Sequence, residues 1–182
     1  MAKIDSLKTL LVEELRDIYD AEKRLTKAIP KLSKACDNSQ LRQALDSHLA
    51  ETEEHVTRLE NAFIDLDEEA KGKTCAAMKG LVDEGDENAN ADYEADSLRD
   101  AAIIGAAQRV EHYEIAAYGT AIAHAKLLGL NRVVQLLEQT LSEEKAANDK
   151  LNDVAHQAVN PAASRASGTD SAFESGERRP MV

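Results

Sequence analysis

Four long segments of the sequence repeat apolar residues every three or four positions, the period of an α-helix that buries one face. The first begins after a good N-cap, Ser6, and has apolar positions at Leu7, Leu11, Leu15, Ile18, Leu25, Ile29 and Leu32. The other segments cover about residues 40–66, 97–128 and 131–157. Four such helices commonly pack as an antiparallel bundle around a shared interior. We therefore predict an all-α four-helix bundle.

The connection between the second and third segments is too long for a simple hairpin. Residues 67–100 hold eleven Asp and Glu against four Lys and Arg, and Gly72, Gly80 and Gly85 interrupt them. Antiparallel neighbours need only a few linking residues, so this length predicts a long crossover. We expect one short extra helix, near 75–82, and loop elsewhere.

Two prolines and the composition of the last residues suggest where the domain ends. Pro30 should kink the first helix or end it, and Asn160-Pro161 should end the fourth. Residues 161–182 are small and polar with little to bury. We therefore predict a bundle domain over 1–160 and a disordered C-terminal tail over 161–182.

Charge and targeting signals narrow the possible roles of the chain. The formal net charge of −12 repels nucleic acid and anionic lipid, so we expect neither as a partner. No apolar run is long enough to span a membrane, and MAKIDSLKTLL lacks the apolar core of a secretory signal. We expect a cytoplasmic protein. Cys36 and Cys75 match no zinc spacing, which favours two free thiols over the alternative of a disulfide between them.

Each segment interrupts its apolar stripe with polar side chains near its own midpoint. Segment by segment, the interrupting residues are Glu22; then His48, Glu51, Thr52 and His55; then Glu111, Glu114 and Tyr118; then Glu144 and Asn148. The midpoints of the helices meet in a bundle, so these side chains should converge. Buried carboxylates are costly unless they are paired or bind metal, and Lys and Arg are largely missing from these faces.

Divalent metal explains this convergence better than ion pairing does. The four glutamates would carry −4 when ionised, and two divalent ions would balance that charge. These residues are Glu22, Glu51, Glu114 and Glu144. His48 and His55 add imidazole nitrogens, and oxygen-rich sites with some imidazole suit iron or manganese, less often zinc. A single such Glu is more often a solvated flank residue, and a single such His a hydrogen-bonded core residue. Their coincidence on four helices favours a metal site.

Four segments resemble the YciE/YciF family of ferritin-like proteins over residues 5–157: DIYDAEKRL (17–25), HLAETEEHVTRLE (48–60), AAQRVEHYEIAAYGTA (106–121) and LEQTLSEEKAANDKL (137–151). The third segment is the most specific of them. The resemblance implies a ferritin-like four-helix bundle with a long crossover, a homodimer, and an association with bacterial stress responses.

The wider ferritin-like superfamily also implies a ligand pattern, with one Glu on helices one and three and Glu-x-x-His on helices two and four. By this resemblance Glu22 and Glu114 take the single-Glu positions, and Glu51 takes the Glu position of helix two. The chain departs from the pattern because His55 follows Glu51 by four residues instead of three, while His48 precedes it by three.

Helix four departs further, since it offers Glu143 or Glu144 and then Asn148 in place of a His. Because of these departures, the sequence is compatible with either one or two bound metal ions. The predicted metal ligands are Glu22, Glu51, His55, Glu114 and Glu144, with His48, Glu111 and Glu143 as second choices.

Two hypotheses from different classes follow. The first is a stress protein that binds iron or manganese and, if it is an enzyme, acts as a di-metal oxidoreductase on O₂ or peroxide, with Glu22 and Glu114 bridging. Tyr118 would then donate a hydrogen bond to a ligand or take part in redox chemistry, unless it is an ordinary core aromatic. The second is a structural or interaction protein whose polar groups form a closed hydrogen-bond network.

Overall fold

The structure, a computed structural model, describes residues 3–166 of the chain. This part is helical and contains no strand, as the sequence predicted. Its elements are α1 (Leu7–Ala35), α2 (Ser39–Asp65), α3 (Ala76–Asn90), α4 (Asp96–Leu127), α5 (Asn131–Val154), a π-helical turn (Ala155–Val159) and α6 (Asn160–Ala166). The predicted ferritin-like four-helix bundle with a long crossover is confirmed.

The four long helices α1, α2, α4 and α5 close into a ring in which each packs on two neighbours. Helix α1 packs on α2 and α4, and helix α5 packs on α4 and α2. The crossover helix α3 lies against α1 and α4. The interior of the bundle is therefore enclosed by one face of each of the four long helices.

The core is divided into two apolar clusters along the bundle. One cluster includes Leu15 and Phe63, and the other includes Leu45 and Ile103. Burying one such side chain stabilises the fold by about 1.5–3 kcal/mol. On each long helix the buried Glu and His residues fall between the two clusters, as Glu22 does on α1. Apolar packing thus secures both halves of the bundle and leaves a polar layer between them.

Local signals in the sequence account for the beginning of α1 and the end of α4. Ser6 accepts a hydrogen bond from the Thr9 amide, and the Thr9 hydroxyl accepts one from the Ser6 amide, so α1 begins with a capping box. Gly129 follows α4 with a φ of +69°, a conformation that glycine adopts without strain.

The crossover is more helical than the sequence predicted. We expected loop from residue 83 onward, but α3 continues to Asn90. Met78 and Gly85 are buried on this helix, so packing on the bundle outweighs the poor helix preference of its Gly and Asp residues. Cys75 fixes the start of α3, because its amide donates to Asp20 at 2.8 Å and its Sγ lies 3.0 Å from Tyr113 Oη.

Neither proline ends the helical path. This corrects the prediction for Asn160-Pro161, and of the two outcomes predicted for Pro30 it excludes the end of the helix. Pro30 is exposed within α1, so water can bind the carbonyl that lacks its usual donor, and the helix runs on to Ala35. Pro161 follows the π-helical turn, in which the Asn160 amide bonds to the Ala155 carbonyl, and this wider turn accommodates the missing donor. The helical path therefore reaches Ala166, while the rest of the predicted tail, 167–182, lies outside the described residues.

Two further expectations can be compared with the described residues. No helix in residues 3–166 combines the length and the apolar character that crossing a bilayer requires. Cys36 and Cys75 are both free and buried, and burial raises the pKa of the Cys36 thiol to about 12. Both thiols are therefore poor nucleophiles in the folded protein.

Asp100 should be important for stability, because its buried carboxylate holds the turn between α1 and α2. It accepts hydrogen bonds from the amides of Asp37 and Asn38, at 3.0 and 2.8 Å. Replacing it with Ala leaves both donors without this partner, so we expect Asp100→Ala to lower the free energy of unfolding by about 2–4 kcal/mol in urea titrations. Asp92→Ala, at an exposed position, is the matched control. Equal stability of the two variants would contradict this role.

Candidate metal centre

Polar side chains from all four long helices meet in the middle of the bundle, as the sequence predicted. Helical spacing explains the convergence: residues three or four apart lie on one face, so the polar residues continue the apolar stripe of their own helix. The members that bear nitrogen or carboxylate ligand atoms are all buried, and they are Glu22, His48, His55, Glu111, Glu114 and Glu144.

These side chains form two groups that could each hold a metal ion. The first contains His48, Glu111, Glu114 and Glu144, and the second contains Glu22, His55 and Glu144. Within a group, one ligand atom of each residue lies within 4.8 Å of all the others. Atoms that bind one ion at about 2.1 Å are at most about 4.2 Å apart, so small side-chain rotations would close either group around an ion. Glu144 belongs to both groups.

Many polar atoms of these residues have no hydrogen-bond partner among the described residues. They include both carboxylate oxygens of Glu114 and of Glu144, one oxygen each of Glu22 and Glu111, and one ring nitrogen each of His48 and His55. Nδ1 of His55 lies 2.9 Å from Oε1 of Glu144, but neither atom has hydrogen-bond geometry toward the other. Ligand atoms are thus crowded around common points without satisfying one another.

Burial and mutual repulsion govern the protonation of the carboxylates. Burial and the charges of Glu144 and Glu22 raise the pKa of Glu114 well above its usual range. Burial also raises the pKa of Glu111 and of Glu22. Burial would raise the pKa of Glu144 too, but His55 and His48 outweigh it and hold that pKa below its usual range. Glu144 is therefore the carboxylate that most readily keeps its charge.

The two histidines are the cations of the metal-free centre. Burial lowers the pKa of His55, but the nearby carboxylates of Glu144 and Glu22 outweigh it and raise the pKa to about 10. Burial likewise opposes the charge on His48, and Glu51, Glu111 and Glu144 raise its pKa to about 9. Without metal, positive imidazolium rings therefore balance part of the carboxylate charge near neutral pH.

His55 is held from behind by an ion pair. Its Nε2 lies 2.9 Å from Glu143, whose carboxylate also accepts two hydrogen bonds from the Arg58 guanidinium. Arg58 donates a further bond to the Thr140 hydroxyl at 3.2 Å. A carboxylate behind a histidine fixes the ring and its tautomer, so this arrangement directs Nδ1 toward Glu22 and Glu144.

Tyr118 acts on the other side of the second group. Its fully buried hydroxyl donates a 2.5 Å hydrogen bond to Oε1 of Glu22. Burial and the charge of Glu22 raise the pKa of Tyr118 well above its usual range, so it remains a neutral donor. The predicted hydrogen bond from Tyr118 to a ligand candidate is therefore present.

The structure brings together most of the predicted ligands and separates two of them. Glu51 belongs to neither group, because its side chain lies at the edge of the stripe and is 43% exposed, with one oxygen 3.4 Å from Nδ1 of His48. Glu143 contacts the centre only through His55. The second choices His48 and Glu111 both lie in the first group. Sequence reasoning missed Arg58, although it lies one turn after His55 on the same helix.

Comparisons with known proteins agree with this architecture. The sequence model described as "Domain of unknown function (DUF892)" matches residues 6–164. Protein YciF of Escherichia coli strain K12 is 42% identical over 156 residues, which is 85% of this chain and 93% of that protein.

Solved structures show the same relationship. The crystal structure of the E. coli stress protein YciF has a TM-score of 0.82 at 41% identity, over 86% of this chain and 99% of that one. YcfI of Rhodopseudomonas palustris, for which a structural role has been suggested, has a TM-score of 0.81 at 47% identity, over 84% and 97%. A Xanthomonas campestris protein shares the fold at 20% identity with a TM-score of 0.68, over 88% and 98%. The chain therefore belongs to the YciF family, the family whose domain is described as one of unknown function.

Proposed function

We propose that this protein binds one or two divalent iron or manganese ions between its four long helices. It would act as a ferritin-like stress-response protein, with O₂ or peroxide as the small oxidant. The observation that carries the proposal is the set of buried ligand atoms without hydrogen-bond partners in the two groups. Buried polar groups are rarely left unpaired, so these atoms require a metal ion or water as a partner.

The same observation weighs against the alternative, a structural or interaction protein with no metal chemistry. A polar core kept for structure alone should be a closed hydrogen-bond network, because each unpaired buried group costs about 1–3 kcal/mol. Both oxygens of Glu114 and of Glu144 lack a partner among the described residues. The network is therefore open at the points where an ion would bind.

The charges of the two groups fit divalent ions. Glu22, Glu111, Glu114 and Glu144 carry −4 when ionised, and within residues 3–166 no Lys or Arg forms an ion pair with any of them. Two divalent ions would supply +4 and leave the histidines neutral. Carboxylate oxygens with one imidazole in each group suit iron or manganese better than zinc.

Some residues at such a site would bind the metal ions, and others would orient the ligands. Glu144, common to both groups, is the best candidate to bridge two ions, whereas Glu22 and Glu114 each belong to one group. Bound iron or manganese would supply Lewis acidity and electron transfer toward O₂ or peroxide. Tyr118 orients Glu22, and Glu143 orients His55. Glu22, His55, Glu114, Glu144 and Tyr118 are fully buried.

Family membership supports two further parts of the proposal. The E. coli relative is described as a stress protein, which supports a role of this chain in a stress response. Homodimer formation is proposed on the same family relationship.

Glu114→Ala should abolish metal binding by the first group and leave the metal-free protein helical. The substitution removes a ligand from the first group, and it also removes a buried carboxylate whose oxygens have no partner. We therefore expect the metal-free variant to be at least as stable as metal-free wild type, because an unpaired buried polar group, which costs about 1–3 kcal/mol, disappears. Elemental analysis per chain and thermal midpoints with and without chelator are the measurements.

Glu138→Ala is the matched control for this test, because it removes an exposed carboxylate from α5 without touching the centre. It should bind as much metal as wild type. Metal binding by Glu114→Ala at the wild-type level would place the site elsewhere. If wild type binds no metal and chelator does not change its midpoint, the structural alternative is correct.

The stabilisation that metal provides should increase with pH. The pKa values of His48 and His55, about 9 and about 10, lie above the ordinary value of about 6.5. The protonated histidines therefore add to the free energy of unfolding of the metal-free protein. This contribution is complete below about pH 6.5 and is lost as pH rises through 9 to 10. Metal must displace these protons, so its apparent affinity should rise up to about tenfold per pH unit for each proton displaced.

Thermal midpoints at pH 6, 7 and 8, with Mn²⁺ and with chelator, measure this effect. The difference between the two midpoints should widen as pH rises. His124→Gln, which alters a histidine that pairs with Glu14 away from the centre, should keep the full pH dependence. His55→Gln should weaken it, because only the proton of His48 then remains to be displaced. A difference in midpoints that does not change with pH in wild type would contradict proton displacement.

A further inference from the structure

A cavity of about 320 Å³ lies between α2 and α5, beside the first ligand group. Exposed residues at its outer end include Gln43, Ser47 and Lys150, and the buried residues His48 and Glu111 form its inner end. The cavity thus connects the protein surface with two of the proposed ligands.

The inner end of this cavity is polar and unsatisfied. Nε2 of His48 and Oε2 of Glu111 are buried atoms without a hydrogen-bond partner among the described residues. Polar atoms of this kind need water or a ligand, whereas genuinely empty cavities are apolar. One water takes about 30 Å³ in the liquid, so the cavity has room for an ion with several of its waters.

Glu51 lines this cavity, where it is exposed to solvent and also lies close to His48. Its side chain lines the cavity and is 43% exposed, and Oε2 lies 3.4 Å from Nδ1 of His48. A carboxylate at this position can contact a hydrated cation before the cation reaches the buried groups.

A second cavity reaches the same two ligands but suits an ion poorly. It lies beneath α3, has a volume of about 30 Å³, and is lined mostly by apolar residues such as Leu25, Ile29 and Val82. It holds about one water-sized molecule. A divalent ion would have to lose its hydration shell to enter, at a large free-energy cost.

We propose that the cavity between α2 and α5 is the entrance for hydrated divalent cations, and that Glu51 captures the ion there. Glu51 then passes the ion to His48 and Glu111 without remaining a ligand. Lys150, also in the lining, carries the opposite charge and slows the approach of a cation. This inference rests on the proposed metal-binding function.

The test mixes metal-free protein with Mn²⁺ in a stopped-flow instrument and follows free Mn²⁺ with a fluorescent indicator. Equilibrium dialysis gives the final number of ions per chain. At low salt, Glu51→Gln should load roughly three- to tenfold more slowly than wild type, and Lys150→Gln faster by a similar factor. Both differences should shrink at high salt, and both variants should reach the wild-type stoichiometry.

Matched controls separate the passage from the general charge of the surface. Glu54→Gln and Lys145→Gln make the same charge changes at exposed positions of α2 and α5 that do not line the cavity. Both should load at the wild-type rate. Ala147→Leu narrows the cavity without changing the charge and should also slow loading.

Three outcomes would overturn the proposal, and they differ from one another. Wild-type loading rates in Glu51→Gln, Lys150→Gln and Ala147→Leu would place the entrance elsewhere while leaving metal binding intact. A reduced number of ions in Glu51→Gln at equilibrium would make Glu51 a resident ligand. A wild-type protein that binds no Mn²⁺ would overturn the metal-binding function and the entrance together.

Discussion

Four carboxylates are buried at one level of the bundle, and the rest of the structure has to accommodate them. Glu22, Glu111, Glu114 and Glu144 are each at most 2% exposed. Removing such a charge from water costs several kcal/mol even after the surroundings relax. Without metal, bound protons reduce this cost. Some carboxyl groups have raised pKa values and so bind a proton, and two imidazolium rings balance the remaining negative charge. A divalent ion would replace those protons.

The apolar clusters and the ion pair behind His55 make this unfavourable arrangement rigid. Packing on both sides of the polar layer keeps the four helices from separating to admit bulk water. Arg58 and Glu143 fix the ring of His55, and Tyr118 fixes one oxygen of Glu22. The orientation of these ligand atoms is therefore set by the folded chain, so little of the free energy of binding an ion would go into ordering side chains.

The fold and the level of the polar layer could be predicted from the sequence, because helical periodicity is local and long segments report it repeatedly. Assignment of individual ligands was less successful. The superfamily pattern favoured Glu51, whereas the strict spacing of His48, Thr52 and His55 places Glu51 at the edge of the stripe. On α4 the same helical spacing favours Glu111, which lies three residues before Glu114. The extension of α3 to Asn90 and the passage of the helix through Pro161 depend on contacts between distant residues and on a π-helical turn, which local propensity does not encode.

The polar layer also determines how the four helices align along the bundle axis. Apolar stripes alone are nearly indifferent to a shift of one helical turn, about 5.4 Å, since leucine can replace leucine against the neighbouring helix. Such a shift of α5 would move Glu144 away from both histidines and into one of the apolar clusters. Misaligned bundles are thereby penalised, so the residues that would hold the metal also select a single packing arrangement before any ion has bound.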